Sequence, residues 1–470
     1  MTTPDLIKIH EASMKILEEA GMKFHHPEIL SLIERNGIKV SGQSAFFTEN
    51  QIMQWVRKAP RSFTLYALNP KYHIHLGFGS TEYAPGYGAP AIVESDGTKR
   101  SASLDDYIKF LKLFHQSDYF KINGGILVDP CDIKTNFKYP VMLYYALTHS
   151  DKCVIGMEAE AEQVQMTMDM MGIVAGGKEE LIRRPRIVTI ANTLSPLQLS
   201  QSTLDTMLIY AKHGQPVMVT PAAMAGATGP ITLAGTIALS NAEALAGIAI
   251  VQMIREGTPV IYGCQSTAAD MKTAGYAIGC PEHALCVQCG ATLAKFYGLP
   301  SRGGGTPNDA KQVSVQSGYE SMMVMMATCQ GKVDLIIHSA GIIDSHTAMS
   351  FEQFVVDLEI IGMIARFIKG VQIDEDSLAL DVIKEVGSGG EFLTNPHTLR
   401  HCRDGLWVPE ISLRRVLSGG EPNEVIMEKI KKKQERILAG YQQPRLPKGI
   451  ELSLHSYMRD KGLDLNLITH

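Results

Sequence analysis

Eight times along its middle, this chain repeats one theme. A short apolar run ends in small or polar residues, and a stretch of helical length follows. The run ends are "STEYAPG", "FKINGGI", "KCVIGME", "RIVTIANT", "QPVMVTPAA", "TPVIYGCQS", "LPSRGGG" and "VDLIIHSAG", spaced by roughly 30 to 43 residues. That is the length of a strand, a crossover helix and the return to a parallel strand. Intervening segments such as "SNAEALAGIAIVQMIREG" and "GYESMMVMMATCQG" end in glycine, which readily takes the left-handed conformation that closes a helix. Eight such units predict an α/β protein, a (β/α)8 TIM barrel. A doubly wound open sheet is the alternative. That fold usually carries G-x-G-x-x-G or G-x-x-x-x-G-K-[ST], and neither motif occurs here.

The flanks read as extensions: residues 1–75 as a helical and mixed cap, 76–370 as the barrel, and 371–470 as a helical C-terminal extension and tail. "MTTPDLIKIHEASMKILEEAG" predicts a helix with Thr3 as N-cap, Pro4 at its first position and Gly21 at its end. Its buried stripe would be Leu6, Ile9, Ile16, Leu17 and Ala20. The stretch is acidic and lacks a long apolar core, so it does not read as a signal peptide. No charge-free apolar run of membrane-crossing length stands out. Eight scattered cysteines fit a reducing cytoplasm rather than a disulfide scaffold. A net charge of -5 gives no reason to expect nucleic acid. "KIKKKQER" interleaves with Ile426, Ile430 and Ile437 and reads as the solvated face of a helix. "QQPRLPKG" reads as a loop leading to a short tail.

Two clusters raise the question of metal. Cys280, His283, Cys286 and Cys289 are spaced by threes in a helical pattern. Steps of three on a helix each fall about 60° short of a full turn, so the four side chains fan out rather than converge. Small residues packing a helix is the simpler account. His397 and His401 stand four apart, with Glu391, Thr398 and Trp407 nearby. Pro396 opens their helix, which favours a structural role, and no metal is expected.

A barrel of this kind keeps its active site at the C-terminal ends of the strands. Side chains at those ends are Tyr83, Tyr87, Asn123, Glu158, Asn192, Gln265, Arg302 and His338. Gly303 to Gly305 follow Arg302 but lead to "TPNDAK" rather than to the Lys-Ser/Thr of a phosphate loop. The Arg302 fork suits a carboxylate, or pairs with a neighbouring acid. His338 could bind ligand, act as acid or base, or simply pack. Tyr87 offers a π face to a cation. No G-x-S-x-G elbow or H-E-x-x-H is present. Glu158 with His338 would be the acid and base of a lyase or hydrolase.

"PEHALC", "FYGLPSRGGG", "DAKQVSVQSGYE" and above all "GSGGEFLTNPHTLRHCRDGLW" resemble the trimethylamine methyltransferase family over most of the chain. The resemblance implies a barrel that moves a methyl group from an amine to the cobalt of a corrinoid. This chain is standard residues throughout, so it resembles the branch without pyrrolysine, whose members demethylate quaternary amines. It implies glycine betaine as substrate and dimethylglycine as product, with proline betaine, carnitine or a non-catalytic quaternary-amine binder as alternatives. The corrinoid would be carried by a partner protein, with no cofactor held tightly by this chain. Tyr87 would contact the methylammonium, and Arg302 and His338 the carboxylate. Tyr83, Glu158, Asn192 and Gln265 would complete the binding set. No acid or base catalyst is required, because the leaving tertiary amine is neutral. A homo-oligomer that binds neither nucleic acid nor membrane is expected.

Overall fold

The computed structural model describes residues 1–133, 138–403, 405–414 and 419–463. Seven parallel strands are β1 (Glu82–Tyr83), β2 (Val154–Ile155), β3 (Ile187–Asn192), β4 (Val217–Thr220), β5 (Val260–Gly263), β6 (Ser301–Gly304) and β7 (Leu335–Ile337). They hydrogen-bond in the order β1-β7-β6-β5-β4-β3-β2. The segment 120–122 bridges the two ends, pairing in parallel through Tyr83 with Phe120 and through Ile122 with Cys153. The sheet is therefore closed by eight staves, one for each predicted run, and the open-sheet alternative falls. Helices Gln201–Lys212, Pro281–Tyr297 and Val315–Gln330 connect successive strands, and Phe351–Lys369 follows the last of them.

The staves are buried on both faces along almost all their length, as a barrel wall requires. Ile155, Val188, Ile190, Met218, Ile261, Leu335 and Ile337 fill the interior together with Phe63, Leu65, Ile74 and Leu76. The last four lie on an antiparallel hairpin, Phe63–Leu65 with Ile74–Leu76. Tyr66 N donates to Pro185 O at 2.8 Å and Asn69 N to Asp151 O at 2.9 Å. Both acceptors stand just before a strand, so the hairpin plugs the N-terminal end of the barrel. The C-terminal end is left for chemistry.

Three local expectations need correction. The first helix, Thr3–Lys15, is capped by Thr2, not Thr3, because the Thr2 N–H and hydroxyl both reach Asp5 (3.0 and 2.6 Å). It continues as a π-turn over Ile16–Ala20. Leu6 and Leu17 are buried as expected, Ser13 and Met14 join them, and the widened turn carries Ala20 off the stripe to an exposed position. On helix Pro422–Ala439, Lys433 leaves the solvated face and is buried against Glu410 (3.1 Å) and Glu359 (3.7 Å). "QQPRLPKG" opens onto a further helix, Lys448–Asp460, which packs on Ala161–Ala175.

Helix Leu233–Ile254 is long and apolar enough to cross a membrane by length and composition. It is buried almost throughout, packed between the first helix, helix Glu49–Val56 and the barrel wall. It also carries Glu243, whose carboxylate accepts from Leu197 N (2.7 Å) and from the hydroxyls of Ser195 (2.8 Å) and Thr193. These groups lie in the loop just after Asn192.

Candidate active site at the barrel mouth

Strand β6 alternates as a pleat must. A Cβ on Gly303 would meet Val287 of the neighbouring helix at 2.6 Å, so position 303 faces outward. A Cβ on Gly304 would meet His283 Nε2 at 2.9 Å and Gln265 Oε1 at 3.4 Å, so position 304 faces the barrel axis. Arg302 shares that inward face and is 3% exposed. Its Nη1 donates to Gln265 Oε1 at 2.5 Å and to Cys264 O at 3.5 Å, while its Nε has no partner. Among the described residues no carboxylate lies within ion-pair distance of it. Burial pulls its pKa down to about 10, which still leaves it charged at neutral pH. A buried, uncompensated guanidinium is costly unless an anion arrives to pair with it.

Three histidines surround this cation. His338 follows β7 in the left-handed region, at φ +59°. Such a conformation is strained for a side chain with a Cβ and breaks the strand alternation. It turns the imidazole toward the axis, where its Nδ1 is buried without a partner. The His338 and His346 rings meet at 4.4 Å between centroids. His346 ends a run of three left-handed residues, Asp344, Ser345 and His346 (φ +54°, +53° and +68°). His346 Nε2 lies 3.2 Å from Gln265 Nε2. The Gln265 carbonyl oxygen is taken by Arg302, so its amide donates and His346 Nε2 accepts as a neutral ring. His283, from helix Pro281–Tyr297, bonds Ser266 O through Nδ1 at 3.0 Å and leaves Nε2 unpartnered. Burial and the Arg302 charge hold all three rings neutral. His283 is lowered to about 4, His346 to about 3, and His338 well below its ordinary value. The Tyr276 hydroxyl donates to Gln265 O at 2.9 Å and its ring lies 6.1 Å from His346.

Aromatic and acidic groups make up the facing side. Tyr87 stands edge-on to His338 at 6.4 Å, over Gly125, where a Cβ would come within 2.9 Å of the ring. Its phenol is raised by burial first, then by the Glu158 carboxylate and by Tyr139, while Arg302 acts in the opposite sense. Tyr87 therefore lies in the fields of both the cation and the acid. Glu158 accepts from the hydroxyls of Thr203 (2.7 Å) and Ser202 (3.2 Å), and burial raises its pKa. Asn192 ends β3 on the face of Val188 and Ile190, and it is exposed. The mouth thus has an anion-seeking wall of Arg302, Gln265, His338 and His346, and a cation-tolerant wall of Tyr87, Tyr139 and Glu158.

The structure brings together six of the seven residues expected here: Tyr87, Glu158, Asn192, Gln265, Arg302 and His338. Tyr83 is placed elsewhere. Ala84 takes the inward position, so the Tyr83 ring points outward and its hydroxyl sits 3.8 Å from Cys329 Sγ. Asn123 braces backbone, accepting from Gly125 N (3.0 Å) and Ile155 N (2.9 Å). Sequence reasoning missed His283, His346, Tyr139 and Tyr276. The helical spacing of His283 predicts packing, yet its ring faces Gly304. His346 lies eight residues past His338, outside the apolar run, and only its left-handed loop turns it back. Asp376, His397 and His401 offer ligand atoms within 4.8 Å of one another, with His401 Nε2 at 3.1 Å from Asp376 Oδ2. His397 and His401 line a cavity of about 420 Å³ with Arg366, Lys369 and Ser377, at the far end of helix Phe351–Lys369 from the mouth. Glu391 and Thr398 bond within their own segment, to Thr394 and to Phe392 O.

The trimethylamine methyltransferase family model matches residues 1–465. The chain is 40% identical to the glycine betaine methyltransferase of Desulfitobacterium hafniense, over 99% of this chain and 97% of that one. It is 31% identical to the proline betaine:corrinoid methyltransferase of Eubacterium limosum, over 97% and 96%. Among solved structures, the monomethylamine methyltransferase MtmB of Methanosarcina barkeri shares the fold, with a TM-score of 0.51 at 10% identity over 93% of this chain and 94% of that one. A family match over nearly the whole length, with relatives at 40% and 31% identity along almost all of both chains, settles the assignment: this chain belongs to the trimethylamine methyltransferase family.

Proposed function

We propose that the protein demethylates glycine betaine, passing one N-methyl group to the Co(I) of a corrinoid carried by a partner protein and releasing dimethylglycine. The observation that carries this reading is Arg302: a buried guanidinium with no acid to pair with it among the described residues, facing an aromatic and acidic wall. A betaine joins a carboxylate to a quaternary ammonium and so complements both sides at once. Arg302 takes the carboxylate, with Gln265 holding the guanidinium in place and His338 and His346 flanking it. Tyr87 and Tyr139 present π faces to the methylammonium, and Glu158 adds negative potential behind them. The similarity to the glycine betaine enzyme at 40% identity supports the choice of substrate.

The chemistry asks little else of the chain. The reduced corrinoid supplies the nucleophile. When the C–N bond breaks, its electron pair stays on nitrogen, which leaves as a neutral tertiary amine. No proton has to move, and the neutral histidines are not needed as acids. The polypeptide orients one N-methyl outward along the barrel axis and excludes water from the charged ends of the substrate. Glycine betaine with cob(I)alamin and the protein, under anaerobic conditions, should consume the Co(I) absorbance and yield dimethylglycine in equal amount. If neither glycine betaine nor proline betaine nor carnitine yields a demethylated amine, the reading fails. Binding of betaine with no transfer would identify the non-catalytic binder instead.

A further inference from the structure

We infer that Asp376, His397 and His401 bind one divalent transition-metal ion of the zinc class, on the segment that follows the barrel. On sequence the two histidines stand alone, and Pro396 favours a plain helix start. The structure adds a third ligand that spacing does not show, because Asp376 lies 21 residues before His397. It sits on helix Glu375–Leu378, while both histidines sit on helix Pro396–His401. Four residues apart, the two imidazoles share one side of that helix, with ring centroids 4.4 Å apart. The Asn395 side chain accepts from His397 N at 2.9 Å and fixes the start of the turn that carries them. One donor atom from each of the three residues falls within 4.8 Å of the others.

The geometry favours an ion over a simple ion pair. His401 Nε2 lies 3.1 Å from Asp376 Oδ2, yet it is buried without a hydrogen-bond partner. The two atoms are close but not aimed at each other. A metal accounts for this, because it stands off the line between two donors. Bonds of about 2.0 Å at a tetrahedral angle hold donor atoms about 3.3 Å apart. His397 Nε2 reaches the Asp376 carbonyl oxygen only at 3.3 Å, a long contact that a metal bond would replace. The second carboxylate oxygen, Asp376 Oδ1, faces Arg400 at 3.8 Å, which steadies the carboxylate from outside. Two neutral imidazoles and one carboxylate suit zinc and its neighbours, whereas calcium and magnesium prefer oxygen alone. A fourth position is left to water or a small anion. His397 and His401 line the adjoining cavity with Arg366 and Lys369, and those two cations favour an anion there. Helices Glu375–Leu378, Leu380–Val386 and Pro396–His401 bury no residue. Helices this short do not persist on propensity alone, and an ion bridging the first to the last supplies a constraint.

Zinc itself is the probe. The full chain is stripped with EDTA, reloaded with zinc sulfate and freed of excess by gel filtration, and its metal content is measured by inductively coupled plasma mass spectrometry. The expected result is about one zinc ion per chain. Cobalt(II) loaded in the same way should give the visible ligand-field bands of a four-coordinate site, without the charge-transfer band that a thiolate ligand adds. The double variant His397→Asn, His401→Asn should lose the ion, and Asp376→Asn should weaken zinc binding by about tenfold or more. Circular dichroism should be unchanged in both, because Asp376 and His401 stand at the surface. Cys402→Ser, exposed and next to His401, should keep the ion. In wild type, zinc should slow tryptic cleavage after the exposed Lys384 and Arg400, and in the double variant it should not. A wild-type chain that retains no zinc overturns the inference. So does a double variant that retains as much as wild type, loss of the ion in Cys402→Ser, or a cobalt spectrum of thiolate character. Methyl transfer at the mouth does not enter the test.

Discussion

The residue that organises the mouth is Arg302, and its neighbours make its charge measurable through pH. His283 and His346 are neutral in the folded state, held at about 4 and about 3, whereas an unfolded histidine titrates near 6.5. His338 is lowered in the same sense. Below about pH 6.5 the unfolded chain binds protons that the folded chain refuses, so stability falls as pH drops toward 4. Urea midpoints should decline over that window, and the double variant His283→Gln, His346→Gln should flatten the decline. An unaltered pH slope would mean that these rings are not the buried neutral groups described here. Arg302 itself was legible from sequence, because a strand-end arginine before three glycines is a position as well as a residue type. That no acid sits beside it was not legible, since the absence of a partner is a property of the whole barrel. His346 was illegible for a simpler reason: three successive non-glycine residues in the left-handed region carry no sequence signature.

At the scale of elements, the eight staves follow from the sequence because a strand buried on both faces must be a near-continuous apolar run. Side-chain direction at the strand ends is less legible. Tyr83 precedes the inward Ala84 and so points out, while His338 escapes the alternation through its backbone. One element holds the mouth in place from behind. Glu243 on helix Leu233–Ile254 gathers the loop that follows Asn192 through Thr193, Ser195 and Leu197 N. Replacing Glu243 by Ala strips that loop of its buried acceptor and leaves donors unsatisfied, a cost of about 3 kcal/mol. Denaturant unfolding should show that loss, with the betaine dissociation constant rising because Asn192 leads straight into that loop and its backbone bonds Glu158. A variant as stable as wild type would contradict this bracing role. The N-cap displaced from Thr3 to Thr2 and the π-turn at Ile16–Ala20 show the same limit from another side. Helix existence was readable, but the widened last turn carried Ala20 off the buried face.

The whole molecule divides its work between two ends. The N-terminal end is plugged by the Phe63–Leu76 hairpin, while the C-terminal end carries charge and aromatic rings and, among the described residues, no catalytic acid–base pair. That division suits a reaction whose substrate already carries its own leaving group. The account therefore stands or falls on whether the buried guanidinium grips a carboxylate. Titration calorimetry of glycine betaine into wild type and Arg302→Met measures this most directly, with thermal melts to check that the variant folds. The account predicts that the variant melts no lower than wild type without ligand, since an unpaired buried charge has been removed, and that it binds glycine betaine at least thirtyfold more weakly, about 2 kcal/mol or more. A folded variant that binds glycine betaine as tightly as wild type would contradict it.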